Sequence, residues 1–305
     1  MLLVDNRSST DPYFNLALEE YLVRNTDIEE TLLLLYFNAD CIVLGKNQNI
    51  WKEANILFAR QNFIDIARRI TGGGTVYHDS GNLNFSLITK FEQKDLNKFD
   101  TLLNPVVAAL SKYGIEAKIN DKNDLEVDGF KITGTAQFTN RKKIISHGTL
   151  LIDSDIPKLK SALKPQFDEI SSRAIDSKRS TVKNVSEIEN GIVKENLASE
   201  IRAAYNAEVE YRMSESEFQK VVNLRDQKYK SFEWLYAKSS DCTILHKLSE
   251  EGHMLELTIA DGHITEYKIR SGEQVVEHKK CNLAVNSEFL DVKDGALQQI
   301  RSMLY

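Results

Sequence analysis

The segment that most restricts this chain is RRITGGGTVYHDSGNLNFSLI, residues 68–88, in which three consecutive glycines join two runs of strand character. Glycine is costly inside a strand, so Gly72, Gly73 and Gly74 imply either a turn or the close approach of a ligand to bare backbone. Backbone N–H groups without Cβ atoms in the way can point at a phosphate. A flexible hairpin turn accounts for the glycines alone equally well, and the run matches neither the Walker pattern nor the dinucleotide fingerprint. Arg68 and Arg69 shift the balance. Alternation along a strand puts one guanidinium on each face and lets one reach an anion beside the loop, which a plain surface turn has no need of.

The elements around this segment alternate in type. Asp11 followed by Pro12 reads as an N-cap and first helical residue, with Phe14, Leu18, Tyr21 and Leu22 at helical spacing. Thr31 to Phe37, Cys41 to Leu44, Ile64 to Arg68 and Asn84 to Ile88 read as strands of one sheet. Pro105 to Tyr113 has helical spacing; Ile115 to Ile119, Phe130 to Ile132 and Ile144 to Ile152 return to strand character. This mixed order predicts an α+β fold rather than a doubly wound parallel sheet. Helices are expected at Ile156 to Leu163, Val193 to Tyr205 and Ser216 to Lys228, and a polar linker at Asn223 to Ser240. Beyond it Thr243 to Leu248, Met254 to Ala260 and His263 to Ile269 alternate like strands, with Asp261-Gly262 a two-residue hairpin signal. A helix from Leu297 to Leu304 closes a small α/β unit. The expected division is a catalytic domain over 1–230 and an accessory domain over 240–305, the latter too small to stand without a neighbour.

With 42% hydrophobic and 28% charged residues, 305 residues bury a substantial core. A formal net charge of -6 supplies no global field for a polyphosphate backbone, so nucleic acid is not the expected partner. No stretch approaches about 18 uninterrupted apolar residues, and Asp5, Arg7 and Asp11 break the N-terminus where a signal peptide would be apolar. A cytoplasmic protein without a membrane partner is expected. Cys41, Cys242 and Cys281 are too few and scattered for a disulfide framework or a structural zinc site.

Three further segments carry chemistry. In NDLEVDGFKITGTAQ, residues 123–137, Lys131 sits in a β-branched setting between Gly129 and Gly134, where a strand can hold its ammonium in a closed site. A lone lysine would otherwise read as a solvated charge. Asp124 can carry a hard cation, although Asn123-Asp124 is equally natural as a turn. SHGTLLI, residues 146–152, puts His147 ahead of an apolar strand. GKNQNIWKEAN, residues 45–55, is a polar loop entering a helix.

These four segments, in this order, closely resemble the lipoate-protein ligase family, and SKRSTVKNV, residues 177–185, resembles a fifth family segment. The resemblance covers most of residues 1–185 and continues more weakly to the C-terminus. It implies a catalytic domain related to biotin ligases, with a mixed sheet and flanking helices, followed by a small mobile domain. The implied activity is activation of lipoate by ATP to lipoyl-AMP, with Mg2+, and transfer to a lysine of a lipoyl domain of a 2-oxoacid dehydrogenase or of the glycine-cleavage H protein. Position by position, Arg69, Gly74, Thr75, Val76 and Tyr77 become the nucleotide-contacting run, joined by Lys131, Asn123 and Asp124. Lys131 touches both the lipoyl carboxyl and the α-phosphate and is the implied catalytic group. Asp124 is the implied metal ligand. Leu16, Arg69, Gly73, Gly74, His78, Lys131, Gly134 and His147 become the lipoate site, and Leu16, Tyr36, Val43 and Val76 are candidates for an apolar acyl tunnel. Ile70, Thr75, Lys178 and Thr181 depart from the family pattern without removing a required charge.

The nearest alternative is an acyltransferase of the same superfamily working through a cysteine thioester, which needs an activated thiol. Cys41 is the only cysteine before the linker, and a buried structural thiol is expected there. Basic runs at Arg141, Lys142 and Lys143, and at Lys158, Lys160 and Lys164, read as solvated faces, with steering of acidic acceptor domains as the functional alternative.

Overall fold

The computed structural model describes residues 1–178, 180–248, 252–285 and 300. Asp11 caps the first helix, α1 (Pro12–Asn25), by accepting from the amides of Tyr13 and Phe14, while Pro12 occupies the position where an N–H would go unused. The helix lies against a mixed six-stranded sheet built from β1 (Leu2–Val4), β2 (Leu32–Phe37), β6 (Asn82–Lys90), β10 (Thr133–Thr139), β11 (Lys143–Leu151) and β13 (Val209–Tyr211). The strand order is β10-β11-β6-β2-β1-β13. The first four run antiparallel, and β1 lies parallel to both β2 and β13.

Side chains alternate across this sheet, so its two faces feed two cores. One core joins Leu33, Phe85 and Leu87 to α4 (Asp100–Ser111) and α6 (Lys194–Ala204). The other joins Leu32, Leu34 and Ile88 to α1 and α7 (Glu215–Leu224). Each such large apolar side chain, fully buried, stabilises the fold by about 1.5–3 kcal/mol. The expected helix at Pro105 begins instead at Asp100, an acidic first-turn residue, which leaves Pro105 inside it. Of the expected strand from Ile115 only Lys118 and Ile119 pair.

Two smaller sheets flank the large one. β3 (Cys41–Leu44) lies between β4 (Asp65–Arg68) and β5 (Val76–His78), with α2 (Ile50–Glu53) and α3 (Ile56–Gln61) between strands β3 and β4 in the chain. β7 (Lys118–Ile119), β8 (Leu125–Val127) and β9 (Phe130–Lys131) form the other, a narrow meander.

The chain then enters α5 (Ile156–Ala162), and β12 (Glu169–Ser172) leaves the first part of the molecule to join the C-terminal sheet. That sheet has the order β12-β14-β15-β16-β17, with β14 (Cys242–Lys247), β15 (His253–Ala260), β16 (His263–Ser271) and β17 (Gln274–Ala284). Asp261 and Gly262 both take positive φ, 49° and 72°, as the hairpin between β15 and β16 requires. The polar segment 223–240 is not extended. It forms wide helical turns at Arg225–Tyr229 and Glu233–Ala237, and Tyr229 is fully buried. A third core crosses this segment, packing Ile42, Trp51 and Tyr77 with Ile244, Leu257 and Tyr267. The expected closing helix over 297–304 lies, except for the helical Ile300, outside the described residues. Among the described residues no helix is long and apolar enough to cross a membrane.

Candidate active site

Two cavities meet beside the glycine loop. The inner one, about 100 Å³, and the outer one, about 440 Å³, share Val76, Lys131, Gly134 and Thr149 as common walls. Pairing of β5 with β3 sets this arrangement, because strand alternation turns Val76 and His78 to the inner cavity while Tyr77 packs into the core behind and borders the outer one.

Lys131 ends β9, and its backbone is held on both sides: its amide donates to the Thr181 carbonyl (3.0 Å) and its carbonyl accepts from the Lys183 amide (3.2 Å). Its Nζ lies 2.9 Å from Asp124 Oδ2. Gly134 leaves room for this ammonium, since a Cβ there would stand 3.2 Å from Nζ. The side chain, 26% exposed, therefore occupies the junction of the two cavities rather than open solvent.

Arg69 is buried beneath the glycine loop and spends its donors on it. Nη2 donates to the carbonyls of Gly72 (2.7 Å) and Gly74 (2.8 Å), Nη1 to Val43 (3.1 Å), and Nε to Thr71 Oγ1 (2.8 Å). Burial lowers its pKa to about 10, still far above neutrality. Gly73 takes φ +90°, and a Cβ there would meet Arg69 Nη2 at 3.0 Å, so glycine is needed for the loop to fold over the guanidinium. Thr71 Oγ1 passes the contact to His147 Nε2 (2.9 Å), and His147 Nδ1 to Glu19 Oε2 (2.9 Å). Glu19 Oε1 also accepts from Tyr36 (3.0 Å) and from Ser86. Burial pushes the Glu19 carboxyl upward, but the neighbouring His147 and the bonds from His147, Ser86 and Tyr36 outweigh it and leave the group below its ordinary value.

A second network closes the outer cavity. Ser177 donates its amide to Glu53 Oε1 (2.9 Å) and its hydroxyl to Glu53 Oε2; its Oγ accepts from Gln48 Nε2 (2.8 Å) and the Thr75 amide (2.9 Å). Thr75 Oγ1 in turn donates to Gln48 Oε1 (2.7 Å). The loop of residues 45–55 and the segment beginning at Ser177 thus clamp the end of the glycine loop.

The structure brings Leu16, Arg69, Gly74, Val76, His78, Lys131, Gly134 and His147 together on the inner cavity, with the tunnel candidates Tyr36 and Val43. Thr75, Val76, Tyr77, Lys131 and Gly134 line the outer cavity. Asp124 reaches the site through Lys131. Asn123 and Gly73 line neither cavity; Asn123 instead takes φ 60° in a turn, where its carbonyl accepts from Thr135 Oγ1 (2.8 Å). Sequence reasoning missed Glu19, Asn84, Glu53 and Ser177. Glu19 had a signal, a carboxylate within the apolar spacing of α1. Of the basic runs, Lys143 is tied to Thr26 and the Ile28 carbonyl, Lys158 pairs with Asp40, and Lys160 borders the outer cavity.

His78 is 4% exposed, and burial, followed by the nearby Arg69 and His147, lowers its pKa from 6.5 to about 3. The unfolded chain therefore binds a proton between pH 6.5 and 3 that the folded protein refuses, and stability falls as the pH drops through that window. Between pH 6.5 and 5 the expected loss is roughly 2 kcal/mol. Urea midpoints of the parent protein should fall over this range more steeply than those of His78→Gln. Parallel slopes would contradict a buried neutral imidazole. Glu19 acts at lower pH, its contribution being present above about 4.5 and lost as its own carboxyl protonates.

The lipoyl protein ligase A/B catalytic domain matches residues 11–205. Lipoate-protein ligase LplJ of Bacillus subtilis is 40% identical over 278 residues, spanning 88% of this chain and 84% of the relative. The crystal structure of P. falciparum LipL1 in complex with lipoate is 27% identical and superposes with a TM-score of 0.66, covering 88% of this chain and 84% of that one. That of lipoate-protein ligase A bound with ATP is 25% identical with a TM-score of 0.64, covering 77% and 96% respectively.

Proposed function

The chain belongs to the lipoate-protein ligase family, and we propose that it is an ATP-dependent ligase whose two joined cavities seat the two substrates, lipoate inside and ATP outside, with Lys131 at the point where they react. The observation that carries this assignment is that Lys131 is one of four residues common to both cavities and the only cation among them.

In the first step a lipoate carboxylate oxygen attacks the α-phosphorus, and pyrophosphate leaves. Two anions meet, so the site must neutralise charge as the five-coordinate phosphorus forms. Lys131 supplies a positive charge to both the carboxylate and the phosphate. Gly74, Thr75, Val76 and Tyr77 line the two cavities, and Arg69 acts mainly by holding that loop in shape. In the second step the acceptor amine attacks the acyl carbonyl and AMP departs, and Lys131 again stabilises the oxygen that gains charge. The clamp of Gln48, Thr75, Glu53 and Ser177 keeps water from the mixed anhydride.

Mg2+ would accompany ATP, and Asp124, whose carboxylate pairs with Lys131, is the residue that would hold it. Among the described residues no group of three His, Cys, Asp or Glu side chains is placed to hold a metal by itself. When bound, the ion neutralises phosphate charge. The acceptors we propose are lipoyl domains of 2-oxoacid dehydrogenases or the glycine-cleavage H protein, with the cytoplasm as the place of action and the unit from 240 onward as an accessory cover.

A lipoate-dependent exchange of pyrophosphate into ATP tests the activation step; its absence would remove this reading. The thioester alternative needs a thiolate near the junction. Cys41 is fully buried, lines neither cavity, and burial, followed by Asp65, Asp40 and Asp79, drives its thiol well above the ordinary range. Cys41→Ser is accordingly expected to keep acceptor lipoylation from free lipoate and ATP within about threefold, allowing for about 1 kcal/mol of altered packing. A complete loss in a folded Cys41→Ser protein would revive the thioester route.

A further inference from the structure

We propose that His78 is the hydrogen-bond donor of the acyl cavity: its Nε2–H, fixed in that tautomer by three buried asparagines, meets a sulfur of the dithiolane ring and favours lipoate over octanoate. This deepens, and rests on, the reading of the inner cavity as the lipoate site.

The tautomer follows from a chain of bonds that begins at a backbone carbonyl. The Ser9 carbonyl can only accept, so the side-chain atoms of Asn6 (3.0 Å) and Asn15 (3.0 Å) facing it are amide nitrogens. Asn15 then turns its second N–H to Asn38 Oδ1 (2.9 Å), which leaves Asn38 Nδ2 facing His78 Nδ1 at 3.0 Å. An amide nitrogen only donates, hence Nδ1 accepts and the proton of the neutral ring sits on Nε2. Asn15 and Asn38 are 0% and 1% exposed, so no water competes to loosen the relay.

The far end of the ring has no partner. Nε2 is buried without a hydrogen bond among the described residues, although His78 lines the inner cavity. A buried donor left unpaired is costly, and such atoms generally await a ligand or an ordered water. Position argues for the distal end of the acyl substrate. Val76 stands at the junction with Lys131, and His78, which lines the inner cavity alone, lies two residues further on the same face of β5, roughly 7 Å along the strand. A carboxylate held at Lys131 therefore places the ring-bearing end, not the acid, beside Nε2. Leu16, Tyr36 and Val43 also line this cavity. A plain alkyl chain there leaves the N–H unpaired; a polarisable sulfur accepts it.

The test compares kcat/KM for lipoate and octanoate in pyrophosphate exchange, using the full chain. In His78→Phe the lipoate/octanoate ratio is expected to fall about tenfold. His78→Gln, which returns an N–H near the Nε2 position, is expected to recover most of it. Imidazole 15N spectra of the parent protein should place the proton on Nε2, and that resonance should move with lipoate and not with octanoate. Asn38→Leu, outside both cavities, should redistribute the proton between the nitrogens and lower the ratio. An unchanged ratio in a cooperatively melting His78→Phe protein, a proton on Nδ1, or equal shifts with both acids would each overturn the role of His78. Failure of the parent protein to show any lipoate-dependent exchange would instead remove the underlying assignment of the cavity.

Discussion

Lys131→Ala is expected to fold normally and to lose lipoate-dependent pyrophosphate exchange by two to three orders of magnitude, corresponding to about 3–4 kcal/mol of transition-state stabilisation. The size follows from position. The ammonium lies in a partly dry junction, fixed by Asp124 and by backbone bonds on both sides of the residue, so it needs little reorganisation as charge develops. In the proposed arrangement its charge acts on both reacting anions. The loss should therefore appear mainly in kcat, with a smaller rise in KM for lipoate. Folding should survive because the side chain is 26% exposed and packs no core. Lys131→Arg keeps the charge but not the shape: a planar fork cannot sit where Gly134 admits a slender amine, and it should rescue little. A melting curve matching the parent protein, together with exchange within tenfold of it, would be incompatible with the assigned role.

The second large effect belongs to the other arginine. Arg68 is fully buried and makes no ion pair among the described residues. Its Nε donates to the Trp234 carbonyl (3.0 Å), Nη1 to Gly45 (3.1 Å) and Gln48 (2.6 Å), and Nη2 to Leu235 (2.8 Å) and Ser239 Oγ (2.8 Å). Trp234 Nε1 returns a bond to the Arg68 carbonyl (2.7 Å). One guanidinium thus fastens the loop supporting the glycine bend to the helical turns that lead into the C-terminal sheet. Arg68→Ala leaves several buried carbonyls without donors and is expected to cost about 3–5 kcal/mol. Urea midpoints read it directly. Because Gln48 belongs to the clamp on Thr75 and Ser177, the variant should also release the acyl-adenylate to water, seen as ATP hydrolysis without acceptor modification. A change below about 1 kcal/mol would mean that the turns at 225–237 hold without this anchor.

Arg68 and Arg69 show where sequence reasoning succeeds and where it stops. Alternation placed the two guanidiniums on opposite faces, and they are so placed. Charge alone favours an anion beside one of them, yet among the described residues both donate to neutral acceptors, mostly backbone carbonyls. Whether a carbonyl or a phosphate faces a guanidinium depends on loops separated from it by up to 171 residues, and no local spacing contains that. Glu19 was hidden for a similar reason. On α1 it falls among apolar residues at positions where a core side chain is expected, and only packing against His147, Tyr36 and Ser86 makes a charge tolerable there.

From its own residues the sequence determined the parts governed by local sterics and short-range capping: the start of α1 at Asp11-Pro12, the Asp261-Gly262 hairpin, the glycine bend, and Lys131 at the end of a short strand. These follow from φ preferences and strand alternation, which act over a few residues. The tertiary structure alone decided that β12 crosses to the C-terminal sheet, that segment 223–240 packs rather than spans, and that two cavities meet at a single ammonium. Those outcomes depend on burial and on hydrogen bonds between distant segments, whose free energy exists only once the sheets are assembled.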